Sequence, residues 1–402
     1  MNDTAILGQV ALGYSPFIDK SRAVTATRLT VFPLRPELAP DVAQLLHAVG
    51  GVWPENGGRA SLNVLSESLL HDLLKAQPSN NLMVEVPAFM ASDPANVEAI
   101  QNLHQSGNVL LIKGRPVQEI PREVLHCFTY SIVDLAEDRR INEAVTGAPA
   151  GMTRSIPHVQ AGVRTLGEME NSFTRGAVAV LGWPIDDAIS SSQGKGKAGL
   201  QTDLQVIVEL IQRVDAQEPI EKIELTLKRD PSLAFKLMRY INSPAFGLRV
   251  EVNSFRHAVM MLGYQRLKRW LALLLSTAGK DSNMKPVMFA AVRRGLLMEE
   301  LVRSTGDEEM RNEMFICGVF SLLDRMFKQP FAELLKTIPV PERVFQALVQ
   351  ESGPYQPYVN LVRAVEDESL YDFRAAADAL MMSVSEINRS VLTALTAAAQ
   401  VE

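Results

Sequence analysis

From residue 59 to residue 184 short apolar runs of β character alternate with helical periodicity. The runs "ASLNVL", "NLMVEVP", "NVLLIKG", "TYSIVDLA" and "GAVAVLGWP" are separated by patterns such as "SESLLHDLLKAQ" and "DPANVEAIQNLHQSG". Such alternation predicts βα units around a parallel sheet, open or closed into a barrel. The stretch "ISSSQGKGKAG" (Ile189 to Gly199) then breaks all apolar periodicity with Ser, Gly and Lys, as a linker does. Beyond it the period becomes 3.6 residues in "TDLQVIVELIQRV", "QRLKRWLALLLSTAG", "PVMFAAVRRGLLMEELVRS" and "PERVFQALVQ", with Gly263 and Gly279 at C-cap positions. The expected organisation is an α/β domain over 1–189, a linker over 190–201 and an all-helical domain over 202–402. A final helix is expected after a cap at Ser383 or Ser385.

One helical segment carries an unusual polar face. In "RDPSLAFKLMRYINSPAFGLR" (Arg229 to Arg249), Asp230 caps a helix opened by Pro231, and Leu233, Leu237 and Ile241 form its apolar stripe. Pro244 and Gly247 stop it. Lys236, Arg239 and Asn242 lie three residues apart on the polar side, flanked by Arg229 and Arg256. This cluster fits two uses: pairing with acidic residues of neighbouring helices, such as Glu299, Glu300 and Asp324, or recognition of a partner. A second basic stretch sets Arg266, Lys268 and Arg269 beside Trp270. It reads as a solvated helix face or as a docking surface.

Composition narrows the classes. A chain of 402 residues with 47% hydrophobic and 21% charged residues is globular, long enough for two domains of roughly 200 residues, and not disordered. The net charge of −6 gives no electrostatic footprint for nucleic acid. Cys127 and Cys317 sit in apolar surroundings, "VLHCFTY" and "MFICGVF", and read as buried reduced thiols. The opening residues lack the basic start and long apolar run of a signal peptide, and "WLALLL" is too short to cross a bilayer. A cytoplasmic protein without membrane insertion is expected.

The segments "LKRDPSLAFKLMRYINSPAFGLR", "VNSFRHAVMMLGYQRLKRWLALLL" and "EMFICGVFSLLDRMF" resemble, in order, the HDOD domain. That is an all-helical bacterial signalling module related to the HD phosphohydrolases, and the resemblance covers nearly all of 202–402. The first half resembles an eroded EAL domain, the cyclic dimeric GMP phosphodiesterase barrel, through "YSPFID" at its first strand and "GAVAVLGWPI" at its last. The resemblance implies a fold of α/β plus all-α class: an eroded (β/α) barrel followed by a helical HDOD domain.

EAL chemistry needs carboxylates, an Asn and a Lys at the ends of barrel strands, because two divalent ions must hold and deprotonate the attacking water. By resemblance, Asn63 and Glu85 occupy metal-ligand positions. Arg28 falls on the signature glutamate, Lys113 and Gly114 on the paired aspartates, Ile132 on the lysine, and Ala161 and Arg164 on further glutamates. Asn63 and Glu85 are therefore expected to satisfy neighbouring groups at strand ends, and Asp134 to be structural. His47, His71, His104, His126 and His158 read as scattered single histidines. In the helical half Ser321 and Leu322 stand where the HD pair belongs, and His257 has no histidine after it. There is no G-x-S-x-G elbow, and "SQGKGKAG" lacks the spacing of a phosphate loop. No catalytic residue, metal or cofactor is expected.

These readings point to a regulatory scaffold that binds other signalling proteins, with no nucleic acid partner and no bound cyclic di-GMP. The alternative is a receptor that holds cyclic di-GMP in the barrel mouth without cleaving it. An active phosphodiesterase ranks last.

Overall fold

A computed structural model describes residues 6–35, 40–53, 59–116, 118–138, 156–187, 202–228, 255–277, 282–336, 338 and 340–401. The expected linker and the expected helix over 231–242, with Arg229, Lys236, Arg239 and Asn242, lie outside the described residues, as does Gly279.

Eight strands close a barrel: β1 (Val10–Asp19), β2 (Val24–Pro33), β3 (Arg59–Val64), β4 (Leu82–Pro87), β5 (Leu110–Lys113), β6 (Phe128–Asp134), β7 (His158–Ala161) and β8 (Ala179–Leu181). Strands β2 to β8 run parallel in chain order, while β1 is antiparallel to both of its neighbours, β2 and β8. The β1–β2 hairpin reverses at Arg22, whose φ is +66°, and Asp19 Oδ1 accepts hydrogen bonds from the Ser21 and Ala23 amides. A cluster of Phe17, Ala26, Met83, Leu111, Ile132, Val159, Ala161 and Leu181, drawn from every strand but β3, fills the barrel. Helices α1 (Val42–Val52), α2 (Glu67–Lys75), α3 (Val97–Gln105), α4 (Arg122–Leu125) and α5 (Leu166–Thr174) lie between the strands in sequence. Their starts follow local chemistry: Asp41 and Ser66 cap α1 and α2, and Thr165 with Glu168 forms a capping box on α5.

The chain divides into two compact units, one of residues 1–187, 285–289 and 357–402, the other of 188–284 and 290–356. The second is helical, built on α6 (Thr202–Asp215), α7 (Ile220–Lys228), α8 (Phe255–Thr277), α9 (Lys285–Leu301, from residue 290 onward), α10 (Glu308–Phe320), α11 (Leu323–Phe327) and α12 (Glu342–Val349). Gly263, expected to end a helix, breaks the helical path within α8 at φ +68°. The α9 and α10 backbones pass so closely that a Cβ on Gly318 would lie 2.5 Å from the Arg294 carbonyl oxygen.

The expected helical domain over 202–402 needs correction at its far end. Helices α13 (Gln356–Glu366), α14 (Leu370–Leu380) and α15 (Val384–Val401) fall, from residue 357 onward, in the barrel unit. Asn388 of α15 is fully buried; its Oδ1 accepts from the Leu12 amide at 3.0 Å, and its Nδ2 donates to Leu7 and Val10 carbonyls at 2.7 Å. A Cβ on Gly13 would meet the Val365 carbonyl oxygen at 3.0 Å, so a larger residue there would have to push the α13 backbone back by a few tenths of an ångström. Helical periodicity shows which face of α13 to α15 is apolar; it does not say which body that face covers.

Candidate functional site

The barrel brings the positions marked by resemblance into one place. Register sets Arg28 beside Ser61 and Thr30 beside Asn63 across β2 and β3, with Glu85 on β4. Arg28 grips Glu85 with two bonds, Nε to Oε1 at 2.9 Å and Nη2 to Oε2 at 2.6 Å. The same Oε1 accepts from Ser61 Oγ at 3.0 Å. Glu85 is 1% exposed and Arg28 8%, so this is a buried, fork-to-fork pair, the geometry in which a guanidinium serves a carboxylate best.

A second set lies beside it. Asn63 donates from Nδ2 to Thr30 Oγ1 at 3.0 Å, and its Oδ1 accepts from Lys113 Nζ at 2.8 Å. A third layer comes from the turn between α13 and α14. Glu368, with φ +53°, accepts from Ser15 Oγ at 2.9 Å and approaches Arg28 Nη1 at 3.8 Å. Burial works against the Arg28 charge, but Glu85 and then Glu368 outweigh it and raise its pKa above the ordinary value. For Lys113 the balance is reversed: burial, then the neighbouring Arg28 charge, lowers its pKa below that of a free lysine.

These groups edge a cavity of about 570 Å³ at the barrel mouth where the parallel strands end. Its lining includes Asn63, Phe89, Lys113, Asp134, Glu137 and Glu368. Asp134, expected to be structural, accepts from the Ala136 amide at 2.8 Å and so turns the chain after β6. Ala161 offers only a methyl group to the mouth. Arg164 instead bonds Asp186 and Asp367 at 2.6 and 2.9 Å, which raises its pKa against the opposing effect of burial. The partners Ser61, Thr30 and Glu368 carried no motif and were not read from the sequence.

The expected recognition residues separate in the helical unit. Trp270 is 2% exposed and belongs to the core, so it presents no ring to a partner. Arg269 lies inside an ion-pair network, bidentate on Glu299, which Arg311 also reaches at 3.1 Å, and it stacks 3.8 Å over the Phe315 ring. Lys268 pairs with Asp215 and Arg256 with Glu221, while Arg266 is exposed. Around Trp270 the basic stretch thus includes internal packing. Ser321 Oγ accepts from Arg294 and donates to the Gly318 carbonyl, a structural role at the expected HD position.

The reading of every histidine as single also needs correction. His104 and His126 meet at one end of the barrel beside Cys127. The spacing 104, 126, 127 matches no common ligand motif, so only the fold reveals it. Both cysteines are free and buried, as expected.

Against known proteins, residues 200–331 match the family model of the HDOD domain. The uncharacterised protein YuxH of Bacillus subtilis is 28% identical over 175 residues, 42% of this chain and 42% of its own length. The cyclic di-GMP phosphodiesterase CdgJ of Vibrio cholerae is 24% identical over 145 residues, 36% of this chain and 34% of its own length. The matches thus span less than half of either curated relative. Among solved structures, the EAL domain of Mycobacterium smegmatis DcpA aligns with 44% of this chain and 92% of its own at 16% identity and TM-score 0.32. The cyclic di-GMP-bound EAL domain of Pseudomonas aeruginosa FimX aligns with 46% and 96% at 14% identity and TM-score 0.30. No helix among the described residues is long and apolar enough to cross a membrane.

Proposed function

We propose that this protein is a non-enzymatic regulatory scaffold of cyclic di-GMP-related signalling, an HDOD module paired with an EAL-type barrel that has lost its metal chemistry, and that it acts by binding other proteins. The HDOD match and the phosphodiesterase relative support the signalling context. One observation carries the loss of catalysis: Arg28 occupies both oxygens of Glu85, and Lys113 occupies the oxygen of Asn63. A divalent pair needs free anionic oxygens, and here a guanidinium and an ammonium group stand at the only two ligand positions that the resemblance retains. The donor set does not fit two metal ions.

A second reading, a receptor that holds the nucleotide uncleaved, draws on the size of the mouth cavity. Its charge argues against a ligand with two phosphates. Arg28 is already neutralised, and Glu67, Asp134, Glu137 and Glu368 line the cavity against Lys113.

Purified protein with Mg²⁺ or Mn²⁺ is expected to leave cyclic di-GMP intact, and calorimetry at micromolar nucleotide to show no saturable heat. Turnover that disappears in Glu85→Ala would restore the phosphodiesterase. Saturable heat without turnover would establish the receptor.

A further inference from the structure

Two stretches of chain converge at the rim where β5 and β6 begin, the end of the barrel opposite the mouth cavity. His104 lies in the last turn of α3, while His126 ends α4 and Cys127 leads directly into β6. One ligand atom from each of the three lies within 4.8 Å of the others. Cys127 Sγ is 3.7 Å from His126 Nε2, and the two imidazoles stand edge to face with ring centres 5.7 Å apart. Both histidines are exposed, whereas Cys127 is 0% exposed.

These separations are close to those a tetrahedral ion imposes. With bonds of about 2.3 Å to sulfur and about 2.0 Å to nitrogen, the S···N distance is roughly 3.6 Å and two bound imidazoles have centres roughly 5 Å apart. The Sγ–Nε2 distance of 3.7 Å matches the first value, and the ring centres at 5.7 Å lie slightly outside the second. A thiol hydrogen bond brings His126 to Cys127 and an edge-to-face ring contact brings His104 to His126, so all three donors converge on one point. The group contains thiolate and imidazole and no carboxylate, a set that selects zinc-type ions over magnesium or calcium.

We propose that His104, His126 and Cys127 form a binding site for a zinc-type divalent ion, with three protein ligands and one position open to solvent. The ion ties the end of α3 to the start of β6. Burial raises the pKa of the Cys127 thiol. A cation at Sγ reverses that shift, and the displaced proton leaves to solvent. Cys317, buried within α10, belongs to no comparable group of metal-binding side chains among the described residues.

Cobalt(II) added to the reduced, tag-free, full-length protein tests the site. The expected result is a thiolate-to-cobalt charge-transfer absorption that saturates at a single equivalent and is displaced by zinc. Cys127→Ser should abolish the band. His104→Asn, at an exposed position that leaves folding intact, should weaken affinity by more than the roughly 10- to 100-fold typical of outer-shell changes. A wild-type protein without the band, a band that persists in Cys127→Ser, or unchanged affinity in His104→Asn would each overturn the assignment.

Discussion

The Arg28–Glu85 pair holds a guanidinium and a carboxylate against each other inside the barrel. Two charges taken out of water are tolerated because each satisfies the other and Ser61 adds a third bond. The pair is worth more as protection than as net stability. Arg28→Met should therefore cost about 3–5 kcal/mol in urea unfolding, since it leaves Glu85 buried and unpaired. The double variant Arg28→Met with Glu85→Leu should recover most of that loss. Equal destabilisation by both variants would show that packing, not charge, dominates the site. Resemblance located Arg28 and Glu85 from the sequence, but their mutual contact was not legible. They stand 57 residues apart, and only the register of β2, β3 and β4 makes them neighbours.

At the scale of elements, the sequence was informative wherever local chemistry decides. The runs "ASLNVL" and "NLMVEVP" became β3 and β4, and the break at Gly263 appeared where a glycine stop was expected. The final helix starts at one of its two expected caps. Ser383 Oγ and its amide both bond Glu386 Oε2, and Ser383 Oγ accepts from the Glu386 amide at 3.3 Å, a reciprocal box. Ser383→Ala should cost about 0.5–2 kcal/mol. The side-chain and then the backbone hydrogen bonds from Ser383 lower the pKa of Glu386 below the usual carboxylate range. A lowered folded-state value means that this contribution is full above the ordinary glutamate pKa and fades as pH falls through the lowered one. The melting-temperature gap between wild type and Ser383→Ala should accordingly narrow at acid pH to what the Glu386 amide bond alone contributes, and a constant gap would refute the assignment. What local chemistry did not reveal was the site formed by His104, His126 and Cys127, because a helix end and a strand start meet there only through tertiary packing.

Across the whole molecule, composition and rhythm separated a barrel from a helical region, yet the boundary at the far end was not legible. The deciding contacts are those of Asn388, a single polar residue in an otherwise apolar helix face. Replacing it with Leu strands the Leu12 amide and two carbonyls in the interior, so Asn388→Leu should destabilise the barrel unit by about 1–3 kcal/mol or more. Hydrogen exchange of the Leu12 amide should rise with it. Slow exchange maintained in the variant would place the anchor elsewhere. The same anchor dictates a schedule for synthesis. Strand β1 leaves the ribosome well before its covering helices, which lie far further along the chain. At roughly 5–20 residues per second, the roughly 170 residues between β8 and α13 take on the order of ten seconds or more to translate. For that interval the nascent barrel displays the apolar flank of β1 uncovered. Codon changes that slow translation between residue 187 and the covering helices are therefore expected to lower the yield of folded protein.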